Sequence, residues 1–325
     1  MAGVLGRALG RRRWPDAADV APAISITPEL AGIPRARLTM PKAFDRLEAP
    51  PTFITGVARS GTTWALDLFD RHPDVCAVFE SWILTQTHGV TALLSQPQWS
   101  PEFYDAQRRN SGLDHAAVQL VPYEEMVGQL GELVAGWLMR AVQPGQRFLV
   151  EKTPLDLAAT ATLFPEARFV HVIRDGRDVA VSMDVASESW APEMGRMPLF
   201  VRGRVWASGV QKIRSIGETL GERYMEISYE NLKGDFIGAM RRMFEFAGVP
   251  RDDALLEQIR ERSQLDKSYG SNTRESRFRG QGRTGGWRDR FGIRDAMRFD
   301  RVAGDLLVEL GYEHDRRWWR QRLPV

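Results

Sequence analysis

Short apolar runs alternate with longer amphipathic stretches along the chain from residue 52 onward. Each run has four or five residues, as buried strands do, whereas the stretches between them space apolar residues three or four apart, as helices do. Strands and helices that alternate in this way form βαβ units. We therefore predict an α/β fold with a central parallel sheet flanked by helices. The predicted strands are 53–57, 75–79, 147–150, 169–173 and 224–228.

Four stretches show the helical pattern most clearly, and they are 123–142, 203–220, 232–247 and 295–310. In the first of them, six apolar residues are predicted to share one face: Met126, Leu130, Leu133, Val134, Trp137 and Leu138. Residues 1–50 are rich in Pro, Ala and Arg and show weak periodicity. We predict an N-terminal extension over 1–50 and a single domain over 51–325.

The composition is that of a soluble globular protein: 325 residues, 43% hydrophobic, 26% charged, with a net charge of +2. This charge provides no strong field to attract nucleic acid. A single cysteine, Cys76, excludes an intramolecular disulfide and a cysteine-based metal cluster. No stretch is apolar for long enough to span a membrane, and the first 14 residues do not fit a secretory signal. We expect a cytoplasmic protein, and the sequence predicts no oligomeric state.

Residues 51–71 combine a strand, a glycine-bearing turn and a helix. Residues 56–63 read GVARSGTT, a G-x-x-x-x-G-T-T pattern in which backbone N–H groups and a helix N-terminus can surround an anion. A nucleoside triphosphatase would carry lysine at Thr62, whereas here the cation is Arg59, inside the loop. The pattern predicts a P-loop-like fold whose loop holds a 5′-phosphate. The alternative is an ordinary strand-to-helix turn.

A second loop of the same kind follows the predicted strand at 169–173. Arg174 comes directly after the strand, and Ser182 lies two helical turns later. Both side chains could contact one phosphate, because the guanidinium group offers phosphate a fork of donors. The alternative is a salt bridge from Arg174 to Asp175 or Asp178.

Polar residues follow all five predicted strands, directly or within two positions. The carboxyl ends of parallel strands meet at one edge of a sheet, and ligands bind there, so we expect these residues to converge on one cleft. They are Arg59, Glu80, Glu151 with Lys152, Arg174 and Tyr229.

Two phosphate sites beside a tryptophan suggest a nucleotide phosphorylated at both its 5′ and 3′ ends. Here the sequence resembles the sulfotransferases that use 3′-phosphoadenosine 5′-phosphosulfate (PAPS). Residues 59–64 resemble the family's 5′-phosphosulfate loop, and Arg174 with Ser182, eight residues apart, resembles its 3′-phosphate pair. The resemblance covers roughly residues 52–290. It implies that Trp64 stacks on the adenine, with core packing as the alternative, and that Tyr229 lies near the same base.

The stretch RGQGRTGGWR at 279–288 is similar to the glycine-rich loop that closes over the nucleotide in this family, although Gly286 replaces the usual aspartate. The resemblance implies that Arg283, or else Arg279, reaches the 3′-phosphate. A flexible, solvated loop is the alternative. The implied nucleotide-binding residues are Arg59, Ser60, Gly61, Thr62, Thr63, Trp64, Arg174, Ser182, Tyr229 and Arg283.

Sulfonate transfer to an alcohol needs a base for the hydroxyl proton and positive charge on the departing phosphate. Glu80 lies 21 residues after Arg59, where carbohydrate and protein-tyrosine sulfotransferases resemble one another in placing a catalytic glutamate. Lys152 would stabilise the transferred sulfonate, and Arg59 the departing nucleotide. The alternatives are a structural salt bridge from Glu80 to Arg59 or Lys152, and a histidine base at His88 or His115. Two further histidines are predicted to be structural: His171 as a core residue in mid-strand and His72 as a cap at a helix end.

The sequence thus predicts a metal-free sulfotransferase that consumes PAPS and releases adenosine 3′,5′-bisphosphate (PAP). Its branch resembles the carbohydrate and tyrosylprotein enzymes more than the cytosolic ones. The acceptor is a hydroxyl group on a small molecule, carbohydrate, lipid or peptide, and segments 85–120 and 185–202 would form its binding wall. A P-loop small-molecule kinase would instead need the loop lysine and a magnesium-binding carboxylate. A non-catalytic nucleotide-binding module is the second alternative.

Overall fold

A parallel sheet of five strands lies at the centre of the protein, as predicted. The computed structural model describes residues 38–85, 89–94, 101–111, 121–189, 191–192, 195–268 and 282–322. The strands are β1 (Thr52–Thr55), β2 (Val75–Phe79), β3 (Phe148–Lys152), β4 (Arg168–Ile173) and β5 (Tyr224–Ser228). They lie in the order β2-β3-β1-β4-β5, and every neighbouring pair is parallel. The chain therefore crosses from one side of β1 to the other, which makes its carboxyl end the switch point where open α/β sheets bind ligands.

Helices cover both faces of this sheet. In the described part of the chain they are α1 (Thr62–Asp70), α2 (Thr91–Leu94), α3 (Pro101–Ser111), α4 (Tyr123–Leu138), α5 (Leu157–Leu163), α6 (Gly176–Ser189), α7 (Leu199–Leu220), α8 (Tyr229–Gly234), α9 (Phe236–Ala247), α10 (Asp253–Ser268) and α11 (Ile293–Glu309). Short 3₁₀ helices lie at Lys42–Arg46, Gly221–Arg223, Gly286–Asp289 and Trp318–Arg322. Among the described residues no helix has the length and apolarity to cross a bilayer.

The core has three parts. Two of them lie on opposite faces of the sheet, because successive strand residues point to opposite faces. Ile54 packs with α1, α9 and α10, whereas its neighbour Phe53 packs with α4 and α5. A third cluster, formed by α6, α7 and α11, contains Val57 and Ile173. These two residues lie at the carboxyl ends of β1 and β4, so this cluster supports both predicted anion loops from below.

The predicted face of α4 is wrong at two positions. Leu133 is 46% exposed and Trp137 39% exposed, whereas Met126, Val134 and Leu138 are buried. Leu133 and Trp137 lie four residues apart on the flank of the helix, so they extend the apolar pattern beyond the surface that the core covers. Single exposed apolar residues of this kind are common on protein surfaces.

The predicted helix over 232–247 is two helices, α8 and α9, which meet at Asp235. Its carboxylate accepts a hydrogen bond from the Gly238 backbone N–H at 3.2 Å, and this caps the start of α9. Gly248 ends α9 in the left-handed region with φ of 74°, a conformation that favours glycine at the end of a helix.

The two histidines predicted to be structural are buried and hydrogen-bonded. His171, on β4, contacts the Tyr224 hydroxyl at 2.6 Å. That hydroxyl donates to Glu226 at 2.9 Å, so the His171 Nδ1–H is the donor toward Tyr224. The Nδ1 of His72 accepts from the Asp74 backbone N–H at 3.1 Å. The core position of His171 is confirmed. His72 is buried, but its ring bonds to Asp74 and to the Pro250 carbonyl rather than to α1, so the predicted helix cap is wrong.

The part of the predicted N-terminal extension that the structure describes packs against the domain. Phe44, in the 3₁₀ helix Lys42–Arg46, is buried beside Phe164 with ring centroids 5.2 Å apart. The Lys42 backbone N–H donates to the Glu132 carboxylate on α4 at 2.8 Å. Residues 38–50 therefore cover the α4 side of the sheet.

Candidate active site

The loop between β1 and α1 has the backbone shape of an anion cradle. Gly56, Arg59 and Gly61 have φ of 156°, 73° and 102°, and the Ser60 N–H donates to the Val57 carbonyl at 3.0 Å. A tight turn of this kind aims successive N–H groups toward the start of α1. At Gly61 a Cβ atom would lie 2.4 Å from the Tyr229 ring, so both the conformation and the packing require glycine.

Side chains of this loop divide between the core and the cleft. Ser60 and Thr62 are buried, Arg59 is half-buried and Thr63 is exposed at the first turn of α1. The Ser60 Oγ has no hydrogen-bond partner in the described part of the chain. A buried hydroxyl without a partner is costly unless a ligand or water satisfies it.

Arg174, at the end of β4, links the first loop to the C-terminal segment. Its Nη1 donates to the Arg59 carbonyl at 3.2 Å, and its Nη2 donates to the Arg283 carbonyl at 3.0 Å. Its guanidinium carbon lies 4.6 Å from the centre of the Tyr229 ring. The Nε of Arg174 is buried and has no partner among the described residues.

The alternative in which Arg174 forms a salt bridge with Asp175 or Asp178 does not hold in the described residues. The Asp175 carboxylate binds Arg177, with an Nη2–Oδ2 distance of 2.7 Å. The Asp178 carboxylate accepts the backbone N–H groups of Gly285 at 2.7 Å and Trp287 at 2.8 Å. Asp178 thereby fixes the C-terminal segment beside Arg174, a role that sequence reasoning missed.

The two predicted anion loops meet through Arg59 and Ser182. The Nε of Arg59 donates to the Ser182 Oγ on α6 at 3.1 Å. Burial, and to a smaller extent the charge of Arg174, lowers the pKa of Arg59. Two guanidinium groups close enough to affect each other in this way favour the binding of an anion between them.

The predicted adenine residues form an aromatic wall. The Trp64 and Tyr229 rings meet edge to face, with centroids 5.3 Å apart. The Tyr229 hydroxyl donates to the Gly282 carbonyl at 2.9 Å, which ties the C-terminal segment to α8. Trp64 is partly buried and also contacts Phe236 at 6.1 Å between centroids, so part of its ring packs against the core.

Arg283 lies at this segment, but its backbone rather than its side chain contacts Arg174. The Arg283 side chain is 75% exposed and forms an ion pair with Asp289 at 2.7 Å. The other predicted candidate, Arg279, lies outside the described residues, as do His88 and His115.

Glu80 and Lys152 form an ion pair at the ends of β2 and β3. Their side chains are 24% and 11% exposed, so both reach solvent at the edge of the sheet. The Glu80 N–H donates to the Lys152 carbonyl at 2.7 Å, and the Lys152 Nζ lies 5.0 Å from the centre of the Phe79 ring. This pair is one of the structural alternatives that the sequence left open. Lys152 is in register with Ile54 of β1, so the pair adjoins the first loop.

Glu151 is a buried acid that sequence reasoning placed in the cleft only as a neighbour of Lys152. It is fully buried in β3, where its Oε1 accepts a hydrogen bond from the Ser81 hydroxyl. Burial raises the pKa of Glu151 to about 7. An acid inside a strand of apolar residues is the sequence signal for this environment.

In the described part of the chain, no three His, Cys, Asp or Glu side chains are grouped so as to hold a metal ion. Among the residues that the sequence predicted at the cleft, Arg59, Lys152 and Arg174 are cations and Glu80 is a partly exposed carboxylate. The Asp178 carboxylate beside Arg174 is bonded to backbone N–H groups. This arrangement can hold a polyanion and can place one carboxylate at its edge.

A family model described as the Sulfotransferase family matches residues 50–253. The protein-tyrosine sulfotransferase of Drosophila melanogaster is 26% identical over 216 residues, which are 64% of this chain and 40% of that protein. Sulfotransferase 2B1 of Rattus norvegicus is 24% identical over 185 residues, which are 49% of this chain and 53% of the relative. This chain spans about half the length of these relatives.

A mouse sulfotransferase, SULT7A1, solved in complex with PAP, is 15% identical to this chain. The alignment covers 86% of this chain and 92% of the mouse protein, with a TM-score of 0.49. For sulfotransferase STF9 from Mycobacterium avium the identity is 17%, the coverage 83% and 79%, and the TM-score 0.47.

Proposed function

The chain belongs to the sulfotransferase family, and on that premise we propose that it transfers a sulfonate group from PAPS to a hydroxyl acceptor, releasing PAP. In this reaction PAPS is the sulfonate donor, Glu80 is the general base and the acceptor carries a hydroxyl group. Similarity to protein-tyrosine sulfotransferases, three of which match at 26% identity, supports the glutamate-using branch.

Two buried polar atoms that have no hydrogen-bond partner among the described residues carry the proposal. The Ser60 Oγ and the Arg174 Nε belong to the two predicted anion loops, and Arg174 itself bonds to the first loop at the Arg59 carbonyl. Buried donors of this kind fit two bound anions, a 5′-phosphate at Ser60 and a 3′-phosphate at Arg174. A nucleotide with phosphate at its 5′ and 3′ ends supplies two such groups.

Each charged residue has a separate part in the transfer. Glu80, at the solvent edge, accepts the proton of the acceptor hydroxyl as its oxygen bonds to sulfur and the bond from sulfur to the nucleotide phosphate breaks. Lys152 stabilises the sulfonate oxygens, and Arg59 stabilises the charge that remains on the departing phosphate. In the free protein the Glu80–Lys152 ion pair keeps both side chains at this edge.

The surface next to Glu80 supports an acceptor with an apolar face. Phe79 is 53% exposed and Trp82 is 52% exposed, and they lie on either side of Glu80 and Ser81 in the chain. Aromatic rings at a rim offer a flat apolar contact with little loss of side-chain entropy. A tyrosyl peptide, a phenol or a lipid alcohol has such a face beside its hydroxyl group.

The experiment is a screen of phenols, sugars, lipid alcohols and tyrosyl peptides with PAPS, in buffer containing EDTA. Sulfonated product and an equal amount of PAP are the expected result, because Arg59 and Lys152 would supply the positive charge that stabilises the departing phosphate and the sulfonate. Activity that EDTA abolishes and magnesium restores would contradict the metal-free reaction. Stabilisation by ATP with magnesium, but not by PAP, would instead favour the kinase alternative.

A further inference from the structure

The turn after β2, which carries Glu80, has an unusual backbone. Glu80 and Trp82 have φ of 48° and 61°, and neither residue is glycine. Residues with a Cβ atom rarely adopt this left-handed backbone conformation, and they do so only where the surrounding structure holds them in it. The contacts of this turn therefore decide where the Glu80 carboxylate points.

Three hydrogen bonds attach the turn to the end of β3. The Glu80 N–H donates to the Lys152 carbonyl at 2.7 Å, and the Trp82 N–H donates to the Thr153 Oγ1 at 3.3 Å. Between them, the Ser81 hydroxyl donates to the buried carboxylate of Glu151. The Ser81 Oγ also accepts from the Ile83 N–H at 3.3 Å, so this hydroxyl is bonded on both sides.

Glu151 serves no evident purpose for the core alone. Its side chain is fully buried, and its Oε2 has no hydrogen-bond partner among the described residues. An apolar residue would fill this position without the cost of burying a carboxyl group. Among the described residues, its carboxylate accepts hydrogen bonds from the hydroxyl and from the backbone of Ser81, the residue that follows Glu80.

We propose that Ser81 and Glu151 are positioning residues that fix the turn after β2 and so hold Glu80 in the orientation a general base needs. The inference rests on the proposed sulfonate transfer, and it assigns Glu151 a role in the reaction although its carboxyl group touches no substrate. Loss of the Ser81 hydroxyl leaves only the backbone hydrogen bond from Ser81 to Glu151. The strained turn is then less constrained, and Glu80 spends less time facing the acceptor.

Kinetics with PAPS and the best acceptor of the screen test the proposal. Ser81→Ala is expected to lower kcat about 10–100-fold while the KM for PAPS stays within about twofold, because only the base moves. Glu151→Leu also removes the acceptor of the Ser81 backbone hydrogen bond and should lower kcat at least as much. Glu151→Gln keeps an acceptor oxygen for Ser81 and should retain most of the wild-type turnover. Ser215→Ala, the same change at an exposed serine of α7, is the control.

A double-mutant comparison separates positioning of Glu80 from a general weakening of the fold. In a Glu80→Gln background, Ser81→Ala should lower kcat by less than about twofold, since the base it positions is already gone. An equal loss in both backgrounds would overturn the proposal, and so would a KM increase that accounts for the whole effect.

Hydrogen exchange gives a result that does not depend on turnover. The amides of Glu80 and Trp82 are expected to exchange about tenfold faster in Ser81→Ala than in Ser215→Ala. Unchanged exchange rates would show that the Ser81–Glu151 hydrogen bond does not hold the turn. If the wild-type protein sulfonates no acceptor but the exchange rates rise as expected, the proposed function is wrong, whereas the role of Ser81 and Glu151 in fixing the turn is supported.

Discussion

At the scale of single residues, the Glu80–Lys152 ion pair has two interpretations that differ in what they demand of Glu80. A structural pair that is partly exposed stabilises a fold by no more than about 1 kcal/mol. A catalytic glutamate must instead stand at the cleft with its carboxylate available to a substrate. Three features favour the second interpretation. The Glu80 side chain is 24% exposed, it lies beside Lys152, and hydrogen bonds to the end of β3 hold its turn.

Replacing Glu80 with glutamine tests this interpretation. Glu80→Gln keeps size and polarity but removes the proton acceptor, so turnover should fall about 10²–10⁴-fold. PAP binding should stay nearly unchanged, because the proposed reaction has Glu80 contact the acceptor rather than the nucleotide. Steady-state kinetics and calorimetry measure both quantities. A loss of less than about tenfold would make Glu80 structural and return His88 and His115 as candidates.

Sequence reasoning identifies residues whose chemistry shows in a motif, and it misses those that act through a partner distant in the chain. Arg59 and Arg174 follow strands and lie at the predicted cleft. The Asp178 contacts with Gly285 and Trp287 join positions 107 and 109 residues apart, and the Ser81–Glu151 bond joins positions 70 apart. No local pattern specifies such pairs, because they arise only when the sheet brings its strand ends together.

At the scale of elements, the unit formed by β1, its loop and α1 depends on Gly61. This residue caps α1 with φ of 102°, and any side chain would meet the Tyr229 ring. Gly61→Ala should therefore lower the free energy of unfolding by about 1–3 kcal/mol and weaken PAP binding. Chemical denaturation and calorimetry measure the two effects.

Gly128 provides the matched control for this substitution. It lies in α4, where an added Cβ meets nothing within 4 Å. Gly128→Ala should therefore be neutral or stabilise the protein by up to about 1 kcal/mol. Similar losses at both glycines would show that the loop conformation around Gly61 is not specifically required.

The elements themselves follow closely from the hydrophobic pattern. All five strands lie within two residues of their predicted bounds, because continuous apolar runs mark strands buried on both faces. The prediction was wrong where periodicity alone was used, on the exposed flank of α4 at Leu133 and Trp137. The capping carboxylate of Asp235 divides the helix predicted over 232–247, and periodicity does not register such a cap.

At the scale of the whole molecule, no sequence pattern predicted the order of the strands. The resemblance at 279–288 predicted a loop over the nucleotide, but not the Asp178 and Tyr229 contacts that hold it. The strand order and the contacts of the C-terminal segment determine the stability of the fold as well as the geometry of the site. His171 links β4 to β5 through Tyr224, and burial lowers the pKa of His171 to about 3. In the unfolded chain a histidine takes up a proton near pH 6.5.

This depressed pKa predicts how stability depends on pH. As pH falls below about 6.5 the unfolded state binds a proton at His171 that the folded state does not accept until about pH 3, so the free energy of unfolding decreases. Between pH 6.5 and 4.5 the decrease should be about 2 kcal/mol larger in the wild type than in His171→Gln. Urea denaturation across this range measures it, and parallel curves for the two proteins would contradict the assignment.

The central claim is that the cleft recognises a nucleotide with both a 5′- and a 3′-phosphate. Its most direct test is calorimetric titration of PAP and adenosine 5′-monophosphate, in EDTA, into the wild type, Arg174→Ala and a surface control, Arg251→Ala. We predict that the wild type and the control prefer PAP, and that Arg174→Ala weakens PAP by about 1.5–3 kcal/mol with little effect on the monophosphate. Equal affinity of the wild-type protein for the two nucleotides would contradict the account.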